Sequence, residues 1–182
     1  MPRVVPTIAT ESPGNFQTGA LWNASVKAMG DWLLGAGTTG VPRFKGYATT
    51  AQSLASSTTD TAITLDTEEY DSDNGHSTTT NTSRYTVQVA GTYYIAATLG
   101  FAANGSGNRK VGININGASA RGGVVQAPGI STNSFVACVS TEQTLAVGDY
   151  VELVGWQTSG GALNTAVSVG FGPVLMCHWI SG

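Results

Sequence analysis

The stretch Arg84-Tyr-Thr-Val-Gln-Val-Ala-Gly-Thr-Tyr-Tyr-Ile-Ala-Ala-Thr-Leu-Gly-Phe101 decides the class of fold. Tyr85, Val87 and Val89 alternate with Arg84, Thr86 and Gln88, the period-two signature of a half-buried strand. Gly91 breaks that run, and Thr92 to Phe101 begins a second one, rich in β-branched and aromatic residues. Working outward, similar short runs occur at Thr61–Leu65, Lys110–Asn116, Ser134–Thr141, Tyr150–Gln157, Thr165–Phe171 and Val174–Ile180. Turn signals separate them, among them Asp73-Asn-Gly75, Asn116-Gly117, Gly148-Asp149 and Ser159-Gly-Gly161. Roughly eight closely spaced strands without intervening helices predict an all-β antiparallel sandwich or jelly roll. Val174-Leu-Met-Cys-His-Trp-Ile180 is apolar on both faces, so it is expected to be central in its sheet with its outer face covered.

The first forty residues follow another pattern. Three prolines in residues 1–17 predict an extended arm. Thr18 is then placed to cap a helix over about residues 19–34, stopped by Gly35, Gly37 and Gly40. Trp22, Val26, Met29 and Leu33 fall on one face of it, widened by Leu21, Ala28 and Trp32. A lone helix of this length is marginal in water, so it must dock on its own domain, on symmetry mates or on a larger assembly. The reading divides the chain into an arm (1–43) and a β-domain (44–182).

Only 10% of the 182 residues are charged, against roughly 25% in an average soluble domain. Eight basic and eleven acidic residues give a net charge of −3, which argues against nucleic-acid binding and against a polybasic membrane surface. No apolar run is long enough for a membrane-spanning helix. From position 113 to the end the only charges are Arg121, Glu142, Asp149 and Glu152, a pattern expected of surface that faces other protein. Five of the acidic residues gather at 66–73, in a polar stretch (66–83) expected to be the most exposed feature of the β-domain. Cys138 and Cys177 read as small buried hydrophobes rather than a disulfide framework. The N-terminus shows no signal peptide, so synthesis in a cytoplasm is expected.

Catalytic motifs are mostly absent. Gly117-Ala-Ser-Ala-Arg121 fails the nucleophile-elbow pattern at its last position, and Gly105-Ser-Gly-Asn-Arg-Lys110 lacks the ending of a phosphate-binding loop. Of the two histidines, His178 reads as a satisfied core residue and His76 as part of a solvated loop. Glu68, Asp71 and Asp73 are weak candidates for Ca²⁺, since the spacing departs from the helix–loop–helix calcium motif; no other cofactor is expected. A lectin reading would use Tyr70, Tyr85 and Trp156 to stack on sugars, and a polysaccharide-cleaving one would need Glu68 and Asp71 as paired carboxylates.

The order of Asn81-Thr-Ser-Arg-Tyr85, Ala90-Gly-Thr-Tyr-Tyr94, Asn104-Gly-Ser-Gly-Asn-Arg109, Ile115-Asn-Gly117 and Leu145-Ala-Val-Gly-Asp-Tyr-Val-Glu-Leu153 resembles the jelly-roll domains of tail and fibre proteins of tailed bacteriophages, especially of actinobacteria. Those domains are similar to the globular head shared by complement component one q and tumour necrosis factor. Ser12-Pro-Gly-Asn-Phe16 and Thr18–Ala24 resemble the attachment segments that head many phage minor tail proteins. The resemblance implies a non-enzymatic virion protein, made in the host bacterial cytoplasm. It implies a homotrimer with Val174, Met176, His178 and Ile180 near the threefold axis. The arm, through Trp22, Val26, Met29, Trp32 and Leu33, would anchor it to other virion proteins. Loop tips at 66–83, 103–109 and 157–164, with Tyr70, Asp71, Asp73, Asn104 and Ser159, would touch a host-surface glycan. A tail tip or fibre is the first placement, a capsid decoration the alternative, and a free carbohydrate-binding lectin a further one.

Overall fold

The computed structural model describes residues 5–8, 14, 16, 18–35 and 40–182; most of the expected arm, and the stop at Gly37, lie outside them. Twelve strands form: β1 (Arg43–Tyr47), β2 (Ser53–Leu54), β3 (Ser57–Ala62), β4 (Thr67–Asp71), β5 (Arg84–Thr86), β6 (Gly91–Phe101), β7 (Asn108–Ile115), β8 (Ala118–Pro128), β9 (Phe135–Leu145), β10 (Tyr150–Gln157), β11 (Leu163–Asn164) and β12 (Val174–Ser181). They build a five-stranded sheet, β4-β1-β12-β6-β9, facing a four-stranded sheet, β5-β10-β7-β8, with β11-β2 as a small third ladder. The paired strands are antiparallel. This is the jelly-roll sandwich expected from the strand pattern.

The alternation in the sequence becomes the two sides of each sheet. Tyr85, Tyr93, Ile95, Leu99, Phe101, Leu153, Leu175 and Cys177 point between the sheets and are almost fully buried. Each side chain withdrawn there contributes about 1.5–3 kcal/mol relative to exposure. As expected, β12 is central in its sheet, between β1 and β6.

Thr61–Leu65 overlaps β3 only at Thr61 and Ala62. β1, β2 and β11 have no counterpart among the expected runs, and three further strand readings differ from the structure. Thr165–Phe171 is not a strand: beyond a bridge from Thr165 to Phe101, the chain bends, with the Phe171 and Gly172 N–H groups donating to the Ser168 carbonyl. Its apolar alternation has no strand edge to pair with, so Val167, Val169 and Phe171 are exposed. Ala118–Pro128, by contrast, is a long strand without a clear pattern. The Asn116-Gly117 turn, with both residues at positive φ (52° and 80°), folds it back on β7 as a two-residue hairpin. The third is Thr67–Asp71, inside the expected loop, which pairs with β1.

The helical segment runs over the expected residues but is not uniform. Gly19–Leu21 is α, Trp22–Lys27 is π and Ala28–Leu34 is α again. Thr18 Oγ1 accepts the Leu21 N–H at 3.2 Å, as a cap should. Its dock is Trp32, buried edge-on against Trp179 with ring centroids 5.4 Å apart, at the end of the sandwich where β12 finishes.

Candidate functional site

The outer face of the five-stranded sheet collects the residues singled out on β12. Val174, Met176, His178 and Ile180 point outward in succession, opposite Thr98, Ala96 and Tyr94 on β6, which in turn stand beside Cys138, Ser140 and Glu142 on β9. Val174, Met176 and His178 are half-buried, and Tyr94 and Ile180 are exposed. Tyr94, Ala96, Thr98, Cys138, Ser140, Val174 and Met176 line a shallow hollow of about 300 Å³. A second, of about 420 Å³, begins at Val174 and runs past Tyr47 to Val167 and Val169, with the Lys45–Glu69 ion pair at 2.6 Å on its wall. The centre of the face is therefore neutral, small-residue and slightly concave.

Two readings of single residues change here. His178 is not in the core: its Nε2 lies 3.0 Å from the Tyr70 hydroxyl on the outer face, and Arg43 sits over the Tyr70 ring at 5.4 Å. Partial burial, and then the Arg43 charge, hold the His178 imidazole below its ordinary value. Cys138 is exposed on this face, 3.3 Å from the Thr98 hydroxyl, whereas Cys177 is buried as expected. Burial, with Asp73 and Asp71 nearby, pushes the Cys177 thiol up.

The acidic segment is not an exposed loop. After β4 it seals the edge of the sandwich between β4 and β5. Asp73 is buried and accepts the Tyr85 hydroxyl at 3.0 and 3.2 Å; burial, aided by that carboxylate, drives the Tyr85 phenol well upward. Asp71 is half-buried and accepts the His76 backbone N–H at 2.8 Å. His76 is buried too, stacked on Phe44, with Nδ1 2.8 Å from Glu68 and Nε2 3.1 Å from the Thr82 carbonyl. The exposed residues of the segment are Glu68, Glu69, Asn74 and the tip from Thr78 to Asn81. A Gly-Asn-Asp-rich string looks solvated in sequence; here its short polar side chains find backbone and ring partners instead.

Glu68, Asp71 and Asp73, on which the Ca²⁺ and carboxylate-pair readings drew, are engaged here with the His76 ring, the Asp73 and His76 backbone N–H groups and the Tyr85 hydroxyl. Among the described residues no cluster of three or more His, Cys, Asp or Glu side chains is placed to hold a metal. The stacking platform of the lectin reading also dissolves: Tyr85 is fully buried, Trp156 is buried, and Tyr70 is half-buried against His178.

The other two tips share the end of the sandwich opposite Trp32. Arg109, expected on an exposed tip, is fully buried and donates to the carbonyls of Asn104, Ser106 and Asn108 at 2.8–3.0 Å, tying the loop shut. Desolvation lowers its guanidinium from the ordinary value. Gln157, also fully buried, donates to the Leu54 and Gly161 carbonyls and accepts the Ser159 N–H. Asn104 and Ser159 are half-buried parts of these ties. Gly107 joins the two loops: at φ 67° it lies where a Cβ would stand 1.9 Å from the Thr158 carbonyl.

Of the anchor residues, Trp32 docks on its own domain and Met29 is half-buried, while Trp22 (52% exposed), Val26 and Leu33 (62%) form an apolar stripe facing solvent.

No family description and no curated protein matches the chain. Solved structures do. The globular domain of zebrafish complement 1qA is 16% identical, covers 76% of this chain and 97% of its own, and superposes with a TM-score of 0.54. Murine APRIL at pH 5.0 is 10% identical over 76% of this chain and 98% of its own, with a TM-score of 0.56. The same protein at pH 8.0 gives 8% identity, 75% and 98% coverage and a TM-score of 0.57. The fold is thus the jelly roll of these heads.

Proposed function

We propose that the chain is a non-enzymatic structural protein that self-associates as a homotrimer through the outer face of its five-stranded sheet. The observation that carries this is the neutral, concave centre of that face, from Ala96 and Thr98 across Val174 and Met176 to Cys138 and Ser140. A soluble monomer gains nothing from leaving such a strip uncharged, whereas an interface core is depleted of charge. The scarcity of charge beyond position 113 agrees with it.

In this reading the helix is the attachment element. Trp32 fixes it to the head, and Trp22, Val26 and Leu33 are left for a neighbouring protein. Together with the sequence resemblance to phage tail and fibre proteins, this favours a virion component at the tail tip or on a fibre that contacts the host surface. A capsid decoration trimer is the other placement within the same class. Linked heads would multiply weak surface contacts into avidity.

Light scattering on the whole chain tests the trimer: a mass of three copies is expected, and a monomer at micromolar concentration overturns it. Trp22→Asp with Leu33→Asp tests the attachment. Phage particles lacking the protein, with the head still trimeric, are expected; normal incorporation removes the anchor role.

A further inference from the structure

A third hollow, of about 300 Å³, lies beside β5, at the edge of the four-stranded sheet. Its wall is polar: Asn74, Ser77, Thr80, Asn81, Arg84 and Thr86. We propose that it is a binding pocket for an acidic sugar, a single saccharide unit bearing a carboxylate.

Arg84 supplies the charge. Its Nε donates to buried Glu152 at 3.0 Å and its guanidinium carbon sits 4.0 Å above the Tyr150 ring. These contacts orient the group, and its two terminal nitrogens make no hydrogen bond among the described residues, which leaves the planar fork that suits a carboxylate. No Asp or Glu is among the described residues lining the hollow; Glu152, which offsets part of the Arg84 charge, is not part of the lining. Around the fork, the side-chain ends of Asn74, Thr80, Asn81 and Thr86 make no hydrogen bond within the described residues. Amides and hydroxyls both donate and accept, which is what a ring of sugar hydroxyls requires and what a bare phosphate does not.

The wall is held in place before any ligand arrives. His76 is pinned beneath it by Glu68 and the Thr82 carbonyl. The Thr86 N–H donates to the Gly75 carbonyl at 2.7 Å, and a Cβ on Gly75 would stand 2.5 Å from the Tyr85 ring. Asn74 and Asn81 hold left-handed backbone at φ 55° and 51°, and Ser77 Oγ accepts the Thr80 N–H at 3.1 Å. A preformed pocket spares the ligand the cost of ordering it.

This inference deepens the surface-contact part of the proposed function and rests on that reading only for where the sugar comes from. Its test uses the isolated whole chain in solution, so its failure would not touch the trimer mass or particle incorporation, nor theirs the pocket. The ¹⁵N-labelled protein is titrated with sodium glucuronate, glucose and sodium acetate. Saturable amide shifts confined to residues 74–88 are expected with glucuronate, with glucose at least about tenfold weaker and acetate not saturating. Arg84→Gln should weaken glucuronate about tenfold. Because Arg84 also braces Glu152, Thr80→Val serves as a second variant outside that contact and should weaken binding severalfold. No saturation, equal response to glucose or acetate, or full affinity in both variants overturns the proposal.

Discussion

The two sheets turn very different backs to solvent. On the four-stranded sheet, Glu152, Val154, Trp156 and Asn114 point away from the core yet are all buried. The chain covers them itself: Asp60 on β3 receives Lys110 at 2.7 Å and the Asn114 amide, while Ser83 and Arg84 hold Glu152. On the five-stranded sheet the charges sit toward the β1 and β4 side and at Glu142, and the middle is left neutral and half-open. One face is covered by the chain's own strands and loops, although Asn114 Oδ1 is left buried without a hydrogen bond among the described residues; the other is left open. That difference is the reason we propose self-association through the five-stranded sheet.

The comparison can be broken on either side. Trp156→Ala removes the largest apolar side chain from the closed face, and a loss of about 3–5 kcal/mol in denaturant unfolding is expected with the assembly mass unchanged. If the mass falls instead, the closed face is also an interface. Met176→Asp places a charge at the centre of the open face. It should weaken association by at least about a hundredfold, giving monomers by light scattering, while circular dichroism shows the sheet intact. A variant that stays fully associated would leave that face without a role.

Smaller effects sharpen the picture at the helix and at His178. Trp32→Ala should cost about 1.5–3 kcal/mol, read as lost amide-exchange protection over residues 19–34. Trp22→Ala, on the free stripe, should stay within about 0.5 kcal/mol in the isolated protein. The folded chain binds the His178 proton less tightly than the unfolded chain does. Its contribution is therefore present above the ordinary imidazole value of 6.5 and is lost as pH falls through the lower folded-state value. Because the ring is half-exposed, the loss should be under about 1 kcal/mol. Comparing melting at pH 7.5 and 5.5 with that of His178→Gln measures it; an equal drop in the variant assigns the effect elsewhere.

Much of the fold was legible because burial repeats with the period of the strand. Tyr85, Val87 and Val89 alternate in sequence and all three are buried, even though the ladder of β5 ends at Thr86. The same rule failed at Val167, Val169 and Phe171, where alternation exists without a strand edge to receive it. It missed β8, whose Ala, Ser and Gly residues carry little pattern and whose place is set by the hairpin at Asn116-Gly117. The candidate sites were legible in part. The outward row on β12 follows from its two-sided apolarity, but Asp73, His76 and Arg109 were read as solvent-facing because polar residues beside glycines usually are. The pocket beside β5 had no linear signal: Arg84 and Asn74 are brought together only by the turn of the segment around His76.

By itself, then, the order of residues determined the all-β class, the helix with its cap, the central position of β12 and the neutrality of the C-terminal half. These depend on neighbours within a few positions, whose spacing is set by covalent geometry. Which polar groups are paid for by a partner and which remain open was decided by the tertiary structure alone. Hydrogen bonds such as Tyr85 to Asp73 or Arg109 to Asn104 form or fail according to distances across the sandwich and its loops, and those distances exist only once both sheets have closed on the core.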